Sequence, residues 1–528
     1  MKISMSTERA GFCGPLPPSK FNLAQYCLQN SAATTPDKVA LIICDNQQAP
    51  SSAQHWTYQQ IEDAVLHLAG GFLSTGLNRG ERLFIRMGNS FDFALVFFAA
   101  NAAGLVPVPA SSQLTVSEVE KLLADCGASA IASDGTLDLP ELPTNVALLD
   151  RDTIESLKQS TPANYCQTHK DDPAFLVYTS GTTSVPKGVL HAQRAVWGRK
   201  PMYRDWYDIG EHDRLLHTGA FNWTYTLGTG LFDPWANGAT SIVYTGEKNI
   251  DIWPAIIKTH QPTIMAAVPS LYRQILKYCQ LDHQNVASLR HCLTAGEPLP
   301  ENIRENWLDR TGLELYEALG MSEVSTYISS SPARAIKRGS PGQPQSDRCI
   351  AILPKTAGID PVKTGQPGVI AVHRSDPGLM LGYWNRPDEE ATSFRGDWFL
   401  TGDLARMDSE GFIWFEGRND DLINAMGYRV SPIEVEAVLS QHKHVDQVGV
   451  CAINLRQNVD IITGFLVPVA GTDIDIEDVA RFASSRLAAY KVPKKLLVVD
   501  SLPCNASGKL LRKELPHLAR TLRETENG

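Results

Sequence analysis

The chain has 528 residues, of which 43% are hydrophobic and 20% are charged, and these proportions are typical of globular proteins. Because 528 residues exceed what one hydrophobic core usually spans, we expect two or more domains. The 58 acidic residues outnumber the 48 lysines and arginines, and the formal net charge of -10 argues against a general nucleic-acid-binding protein. Any anionic ligand must therefore be held by local groups.

The cysteines and the N-terminus indicate the type of compartment. Ten cysteines are scattered along the chain without a Cys-x-x-Cys pair, so neither zinc binding nor dithiol redox chemistry is indicated. Scattered reduced thiols predict a cytoplasmic enzyme, and the N-terminus lacks the apolar segment of a signal peptide. The apolar stretch from Phe91 to Ala110 contains Asp92, Pro107 and Pro109. It therefore predicts a buried helix followed by a strand, and no membrane span.

The first third of the chain alternates short apolar runs with helical patterns. The predicted elements are Val39 to Ile43, Thr57 to Thr75, Arg82 to Met87, Phe91 to Ala102, Leu105 to Val108 and Thr115 to Asp125. Glu118 follows Thr115 at the spacing of a capping box. This alternation predicts a layered α/β domain with a mainly parallel sheet.

The rest of the chain continues this pattern and then changes. A second block of the same α/β type is expected to begin after the apolar run Phe175 to Val177 and to extend to Leu319. After Ile336, glycines, prolines and short β-like runs predict a smaller β subdomain. A last α+β unit begins near Asp420, and Ser431-Pro-Ile-Glu434 combines an N-cap with a proline at the first helical position.

The stretch Tyr178 to Gly188 reads Tyr-Thr-Ser-Gly-Thr-Thr-Ser-Val-Pro-Lys-Gly. It would present backbone N–H groups, hydroxyl donors and one ammonium at the C-terminal end of a strand, where phosphates are commonly bound. The spacing around Lys187 excludes a Walker A loop. A Ser/Thr-rich surface turn has no need of so many hydroxyls beside a lysine, so the stretch predicts a phosphate-binding loop.

Two further motifs follow predicted strands. Gly320-Met-Ser-Glu323 would place a carboxylate and a hydroxyl beside the phosphates, and both are hard oxygen ligands for Mg²⁺. The alternative for Glu323 is a place in the first turn of a helix. Ala295-Gly-Glu-Pro-Leu299 is a weak signal alone, because Gly-x-Pro turns are common.

The last third of the chain carries two more motifs. Thr401-Gly-Asp403 places a carboxylate in a tight turn, where it can accept two ribose hydroxyls or act as a plain hairpin residue. Ser507-Gly-Lys509 puts a lysine on a glycine turn, from which it can reach both a carboxylate and an α-phosphate. A solvated surface lysine is the alternative.

These motifs, in this order, resemble those of the adenylate-forming superfamily of acyl-CoA synthetases, peptide-synthetase adenylation domains and luciferases. The resemblance covers about Trp56 to Leu515. It implies an α/β fold with a large N-terminal domain of two α/β layers plus a β subdomain, and a small mobile α+β C-terminal domain. We therefore expect residues 1–418 to form the N-terminal domain, which holds ATP and the acyl pocket, and residues 419–528 to form the C-terminal lid.

The resemblance also implies a role for each matching residue in binding MgATP. It assigns catalysis to Lys509, Lys187 and Glu323, and the metal contacts to Glu323 and Thr179. Leu319 stands where the superfamily usually has an aromatic that stacks on adenine, and Cys504 and Asn505 depart from the last motif. The implied nucleotide-binding residues are Thr179, Ser180, Gly181, Thr182, Thr183, Lys187, Gly296, Glu297, Pro298, Gly320, Met321, Ser322, Asp403 and Arg418.

The segment from His217 to Gly230 combines aromatics with small residues, which suits an apolar acyl pocket but also fits ordinary core packing. The implied pocket residues are Phe221, Asn222, Trp223, Tyr225 and Gly320. Amino-acid-activating relatives have an aspartate where this chain has Asn222. A neutral amide holds an ammonium less well than a carboxylate, so we expect a fatty or aryl acid.

Three further motifs resemble the medium-chain acyl-CoA and benzoate-CoA ligases, namely Asp-Pro-Trp235, Gly378-Leu-Met-Leu-Gly-Tyr-Trp384 and Met426-Gly-Tyr-Arg429. Gly427, Tyr428 and Arg429 correspond to residues near the path of coenzyme A, and Asp420 corresponds to the hinge of the C-terminal domain. A group of basic residues could meet the CoA nucleotide or form a solvated face; it comprises Lys491, Lys494, Lys495, Arg512 and Lys513.

The sequence thus predicts an ATP-dependent acid–thiol ligase with Mg²⁺ as cofactor and coenzyme A as co-substrate. Its partners would be a small carboxylic acid, ATP and CoA, with no nucleic acid. A homodimer and an acyl or peptidyl carrier protein remain open. The alternatives are a stand-alone enzyme that loads a carrier protein, and a catalytically silent acyl-nucleotide-binding protein.

Overall fold

A computed structural model describes residues 11–45, 50–179, 186–221, 223–247, 249–418, 423–425, 428–456, 459–487, 491–505 and 510–526. Several predicted site residues lie outside the described residues, namely Ser180, Gly181, Thr182, Thr183, Asn222, Asp420, Gly427 and Lys509. For Tyr428 and Arg429 only the backbone is described.

The described helices and strands are as follows. The helices are α1 (Leu23–Thr34), α2 (Tyr58–Ser74), α3 (Phe91–Ala103), α4 (Val116–Cys126), α5 (Arg151–Leu157), α6 (Lys200–Met202), α7 (Thr224–Leu227), α8 (Asp233–Ala236), α9 (Ile252–His260), α10 (Pro269–Tyr278), α11 (Glu301–Thr311), α12 (Pro387–Ser393), α13 (Pro432–Leu439), α14 (Ile476–Ser484) and α15 (Leu515–Glu526). The strands are β1 (Val39–Cys44), β2 (Gln54–Thr57), β3 (Arg82–Arg86), β4 (Val106–Pro109), β5 (Ala130–Ser133), β6 (Ala147–Leu149), β7 (Pro173–Thr179), β8 (Lys187–Ala192), β9 (Arg214–His217), β10 (Thr240–Tyr244), β11 (Ile264–Ala267), β12 (His291–Ala295), β13 (Leu315–Met321), β14 (Ser325–Ser329), β15 (Gln343–Pro344), β16 (Ile350–Leu353), β17 (Gly368–His373), β18 (Gly382–Tyr383), β19 (Phe394–Arg395), β20 (Trp398–Met407), β21 (Ile413–Arg418), β22 (Ile423–Ala425), β23 (Tyr428–Val430), β24 (Val445–Arg456), β25 (Val459–Pro468) and β26 (Lys495–Val498).

Two mainly parallel sheets build the N-terminal part of the molecule. The larger has the strand order β15-β14-β13-β12-β11-β9-β10-β1-β2, and the smaller has the order β4-β3-β5-β6. The smaller sheet is parallel throughout, and the larger is parallel from β1 to β13. This arrangement confirms the predicted α/β class.

Helix α3 shows how the local sequence determines where a helix of these layers begins and ends. Ser90 accepts a hydrogen bond from the backbone N–H of Phe93 at the start of the helix, and Gly104 ends it in the left-handed region at φ 80°, as is common at helix C-termini. Every residue from Phe93 to Ala103 is buried, and the following β4 is also buried. The predicted buried helix and strand are confirmed, and none of the described helices combines the length and apolar character that a membrane crossing requires.

The environment of the phosphate loop differs from the expectation. β7 and β8 pair antiparallel, with Thr179 opposite Lys187, and β18 extends them to a three-stranded sheet. The predicted second α/β block is present, with β9 to β13 in the larger sheet, but it does not begin directly at the loop, because the antiparallel strand β8 follows first. The run Lys-Gly-Val-Leu-His-Ala is short and partly apolar, and such runs do not distinguish strand from helix by periodicity.

The predicted β subdomain and C-terminal domain are both present. Antiparallel strands β16, β17, β20 and β19, with β21 paired to β20, form the β subdomain. The C-terminal domain has the sheet β24-β25-β26, and a separate apolar core in which Val435, Val450 and Val479 are fully buried. Its helix α13 begins as predicted, with Ser431 accepting from the backbone N–H of Glu434.

Candidate active site

One cleft, about 2770 Å³ in volume, contains most of the predicted site residues that the structure describes. Its walls include Thr179, Lys187, Trp223, Tyr225, Gly296, Glu297, Pro298, Gly320, Met321, Ser322, Glu323, Asp403 and Arg418. Parallel strands end at one edge of a sheet, so the segments that follow β12 and β13 converge there, as expected for ligand sites in α/β folds. The ends of β7 and β8 that carry Thr179 and Lys187, and strands β20 and β21, supply other walls.

Lys187 and Glu323 belong to one contact network. The Tyr383 hydroxyl donates a hydrogen bond to Oε1 of Glu323 at 2.8 Å, and the Lys187 ammonium lies 5.5 Å from the centre of the Tyr383 ring. Lys187 also forms an ion pair with Glu389 of α12. Tyr383 thus orients the Glu323 carboxylate. Glu323 and Thr179 both present hard oxygen atoms to the cleft, which suits Mg²⁺ held by one carboxylate together with phosphates.

His191 fixes the loop that carries Glu323. Its Nε2 donates to the Ser322 carbonyl oxygen at 2.8 Å, and its ring stacks on Phe175 with centroids 4.5 Å apart. Burial lowers the pKa of His191 to about 4, so the ring is neutral near pH 7. Because β8 carries both Lys187 and His191, the strand links the phosphate-loop lysine to the Glu323 loop.

The predicted ribose site is formed across two paired strands. Asp403 of β20 lies directly opposite Arg418 of β21, and Nη1 of Arg418 lies 3.3 Å from Oδ1 of Asp403. The backbone N–H of Asp403 donates to Thr401 Oγ1 at 3.1 Å, and the Tyr327 hydroxyl donates to Oδ2 at 3.5 Å. Asp403 is only 5% exposed, so these contacts fix its carboxylate at the cleft wall.

The predicted adenine-side loop follows β12 and packs against the predicted acyl pocket. Gly296 has φ 95°, a conformation that favours glycine, and a methyl group there would make a tight contact of 3.2 Å with the Trp223 ring. The Leu299 N–H donates to Glu317 Oε1 at 3.0 Å, and burial raises the pKa of Glu317 to about 7. Leu319 lines the cleft at the position where an aromatic would stack.

Phe221, Trp223 and Tyr225 are the three predicted acyl-pocket side chains of the 217–230 segment that the structure describes, and two of them line the cleft. Trp223 and Tyr225 line the cleft and pack edge to face with centroids 5.4 Å apart. Phe221 differs, because it is 1% exposed and its ring stacks on Phe93 at 6.0 Å. Apolar contacts with α3 hold Phe221 in the core, behind the cleft wall.

Two members of the basic group have partners inside the C-terminal domain. Arg512 makes a bidentate contact with Glu436, both N–O distances being 2.7 Å, and it also donates to the Val450 carbonyl at 3.0 Å. Lys491 forms an ion pair with Glu434. Arg512 therefore stabilises the domain.

Several contacts of the site were not foreseen from the sequence. Tyr383 belongs to the motif Gly378 to Trp384, but no role beside Glu323 was predicted for it. Glu389 lies outside the motifs, and His191 and Tyr327 lie in strands that read as ordinary core. For Tyr383 a signal existed, because the motif Gly378 to Trp384 resembles the CoA ligases.

Comparison with known proteins agrees with this geometry. The family described as AMP-binding enzyme matches residues 28–384, and the AMP-binding enzyme C-terminal domain matches residues 434–509. A mitochondrial acyl-coenzyme A synthetase of Mus musculus is 31% identical over 490 residues, which cover 87% of this chain and 84% of the relative. A 4-hydroxybenzoate–CoA/benzoate–CoA ligase of Rhodopseudomonas palustris is 29% identical and covers 94% of each chain.

The crystal structure of a benzoate CoA ligase from Burkholderia xenovorans LB400 is also similar, with a TM-score of 0.84 and 27% identity over 94% of this chain and 100% of that chain. Both family matches lie in the order expected from the motifs. The chain therefore belongs to the AMP-binding enzymes of the adenylate-forming superfamily.

Proposed function

We propose that this chain is an AMP-forming acid–CoA ligase that activates a fatty or aryl carboxylic acid. In the first step the acid's carboxylate attacks the α-phosphate of MgATP, which gives acyl-AMP and releases pyrophosphate. In the second step the thiol of coenzyme A attacks the acyl carbon and AMP leaves. The convergence of Lys187, Glu323 and the Asp403–Arg418 pair in one cleft carries this proposal, and relatives named acyl-CoA synthetase and benzoate–CoA ligase support it.

Each side chain has a chemical task in this scheme. Lys187 and the hydroxyls of Thr179, Ser180, Thr182 and Thr183 bind the triphosphate, and Glu323 with Thr179 holds Mg²⁺, which offsets phosphate charge when bound. Asp403 accepts hydrogen bonds from the ribose hydroxyls, and Arg418 contacts ribose and phosphate. Lys509 donates to the carboxylate and the α-phosphate as charge develops. Backbone groups of Gly181, Gly296, Gly320 and Met321, with Glu297, Pro298 and Ser322, complete the nucleotide site.

We further propose that residues 1–418 and 419–528 act as two domains, with the hinge at Asp420 and with Gly427, Tyr428 and Arg429 on the CoA path. Acyl transfer to CoA rather than to a carrier protein follows the resemblance to CoA ligases. The ten cysteines, which all lie among the described residues, are free thiols, and this supports a cytoplasmic enzyme.

A pyrophosphate-exchange assay with a panel of fatty and aryl acids tests the proposal, followed by mass detection of acyl-CoA. We expect acid-dependent exchange and a CoA thioester. Exchange without acyl-CoA would favour loading of a carrier protein, and the absence of exchange with every acid would favour a silent acyl-nucleotide-binding protein.

A further inference from the structure

A buried ion pair lies beside the predicted acyl pocket. Arg199 donates from Nε to Oδ1 of Asp233 at 2.8 Å and from Nη2 to Oδ2 at 2.6 Å, and their side chains are 8% and 0% exposed. The Tyr207 hydroxyl also donates to Asp233 Oδ2 at 2.7 Å. The pair is therefore neutral overall, although a guanidinium stands at the edge of the cleft.

The position of Arg199 ties this pair to the 217–230 segment. The guanidinium packs directly against Gly228, where a methyl group would come within 2.3 Å of Nη2. Trp206, the neighbour of Tyr207, stacks on Tyr225 with centroids 6.0 Å apart. The ion pair thus lies directly behind the aromatic wall assigned to the acyl group.

Ser325 connects the ion pair to the cleft. Nη1 of Arg199 donates a hydrogen bond to the Ser325 hydroxyl oxygen, and both residues line the cleft. Ser325 is paired with Met321, next to Gly320, in the β13–β14 hairpin. It has φ 78°, an uncommon conformation for a residue other than glycine and one that is often found at ligand sites.

Among the residues that the structure describes, the hydroxyl proton of Ser325 has only a weak acceptor. The Ser325 oxygen accepts its hydrogen bond from the Arg199 guanidinium. A charged donor at this oxygen polarises the O–H bond, and the hydroxyl becomes a better hydrogen-bond donor. The acceptor is the sulfur of Met202, 3.8 Å away, and a thioether is a poor hydrogen-bond acceptor. A ligand oxygen would be a stronger partner for this proton.

We propose that Ser325, with Arg199 behind it, forms a hydrogen-bond-donating subsite of the acyl pocket that favours carboxylic acids carrying a neutral acceptor oxygen on the acyl part. An anionic substituent is disfavoured, because Asp233 already neutralises Arg199 and a second carboxylate would add an unpaired buried charge. This inference rests on the proposed acid–CoA ligase activity, since it names the class of acid.

The test compares acids of equal shape that differ in one acceptor oxygen. We would use acetyl- and isopropyl-substituted benzoates, and oxo- and methyl-branched fatty acids of equal length, and measure kcat/KM in pyrophosphate exchange. For at least one position of the substituent, the oxygenated acid should exceed its hydrocarbon partner about tenfold, the discrimination expected of one hydrogen bond. Equal values at every position would overturn the subsite, whereas no exchange with any acid would overturn the ligase itself.

Two variants assign the preference to Ser325. Ser325→Ala and Ser325→Gly both remove the hydroxyl, and glycine also suits the positive φ, so at least one variant should fold. Both should bring the ratio of the two kcat/KM values close to one. Ser329→Ala is the control. Ser329 lies in the same strand, but its hydroxyl donates to the Asp205 carbonyl oxygen, so this variant should retain the ratio. A preference that survives both Ser325 variants, or that Ser329→Ala also abolishes, would refute the assignment.

Discussion

The ion pair between Lys187 and Glu389 predicts that Glu389 opposes ATP binding. Lys187 must exchange this carboxylate for phosphate oxygens if it binds the triphosphate as proposed. The two side chains are 22% and 33% exposed, and ion pairs near the surface contribute about 0.2–1 kcal/mol. Removing the pair by Glu389→Gln should therefore strengthen ATP binding by up to about fivefold.

The assay is the KM for ATP in pyrophosphate exchange at saturating acid. Asp388→Asn is the matched control, because it removes the same charge from an exposed residue of the same helix. The difference between the two variants should shrink as salt is added, since screening weakens the ion pair in the native protein. An unchanged or higher KM in Glu389→Gln, or an equal fall in Asp388→Asn, would refute the reasoning.

Four further substitutions test the proposed roles. Lys509→Ala should slow adenylation roughly 10²–10³-fold, the loss typical of removing one positioned donor. Presynthesised acyl-AMP should still yield thioester, and an equal loss in both half-reactions would contradict the role. Trp223→Ala should shift preference toward bulkier acids with little change in ATP binding, and an unchanged acid profile would place the pocket elsewhere. Asp420→Pro should leave acyl-AMP formation intact and lower the rate of thioester formation at least about tenfold, because proline fixes the backbone of a hinge. Parallel losses of both half-reactions in single-turnover assays would reject the hinge. Leu319→Tyr should lower the KM for ATP about threefold to tenfold if the ring stacks on adenine, a contact worth about 0.5–1.5 kcal/mol, whereas a higher KM would show that the leucine shapes the site differently.

Local signals in the sequence predicted the local structure well. Thr115 accepts from the Glu118 N–H, and the Glu118 side chain accepts in return, so the capping box is present as predicted. Residues in a capping box lie within one helical turn, and the sequence alone contains all the information needed.

Contacts between residues far apart in the sequence could not be predicted from local patterns. Tyr383 meets Glu323, Glu389 meets Lys187, and Arg199 meets Ser325, and nothing in the spacing along the chain pairs these residues. The motifs therefore yield a prediction of which residues carry the chemistry. The side chains that orient them depend on how the β subdomain and the α/β layers pack, which no local pattern specifies.

The antiparallel pairing of β7 with β8 separates two kinds of predicted phosphate ligand. Thr179 and Lys187 are register partners, and the intervening Ser180 to Pro186 comprises seven residues. Since a chain spans at most about 3.3–3.6 Å per residue, the eight steps from Thr179 to Lys187 allow this segment to reach no farther than about 14 Å from the hairpin. Lys187 and Thr179 thus belong to the paired strands, whereas the hydroxyls of Ser180, Thr182 and Thr183 belong to a tether of limited length. Lengthening that tether would extend the reach of the hydroxyls and leave the lysine where it is.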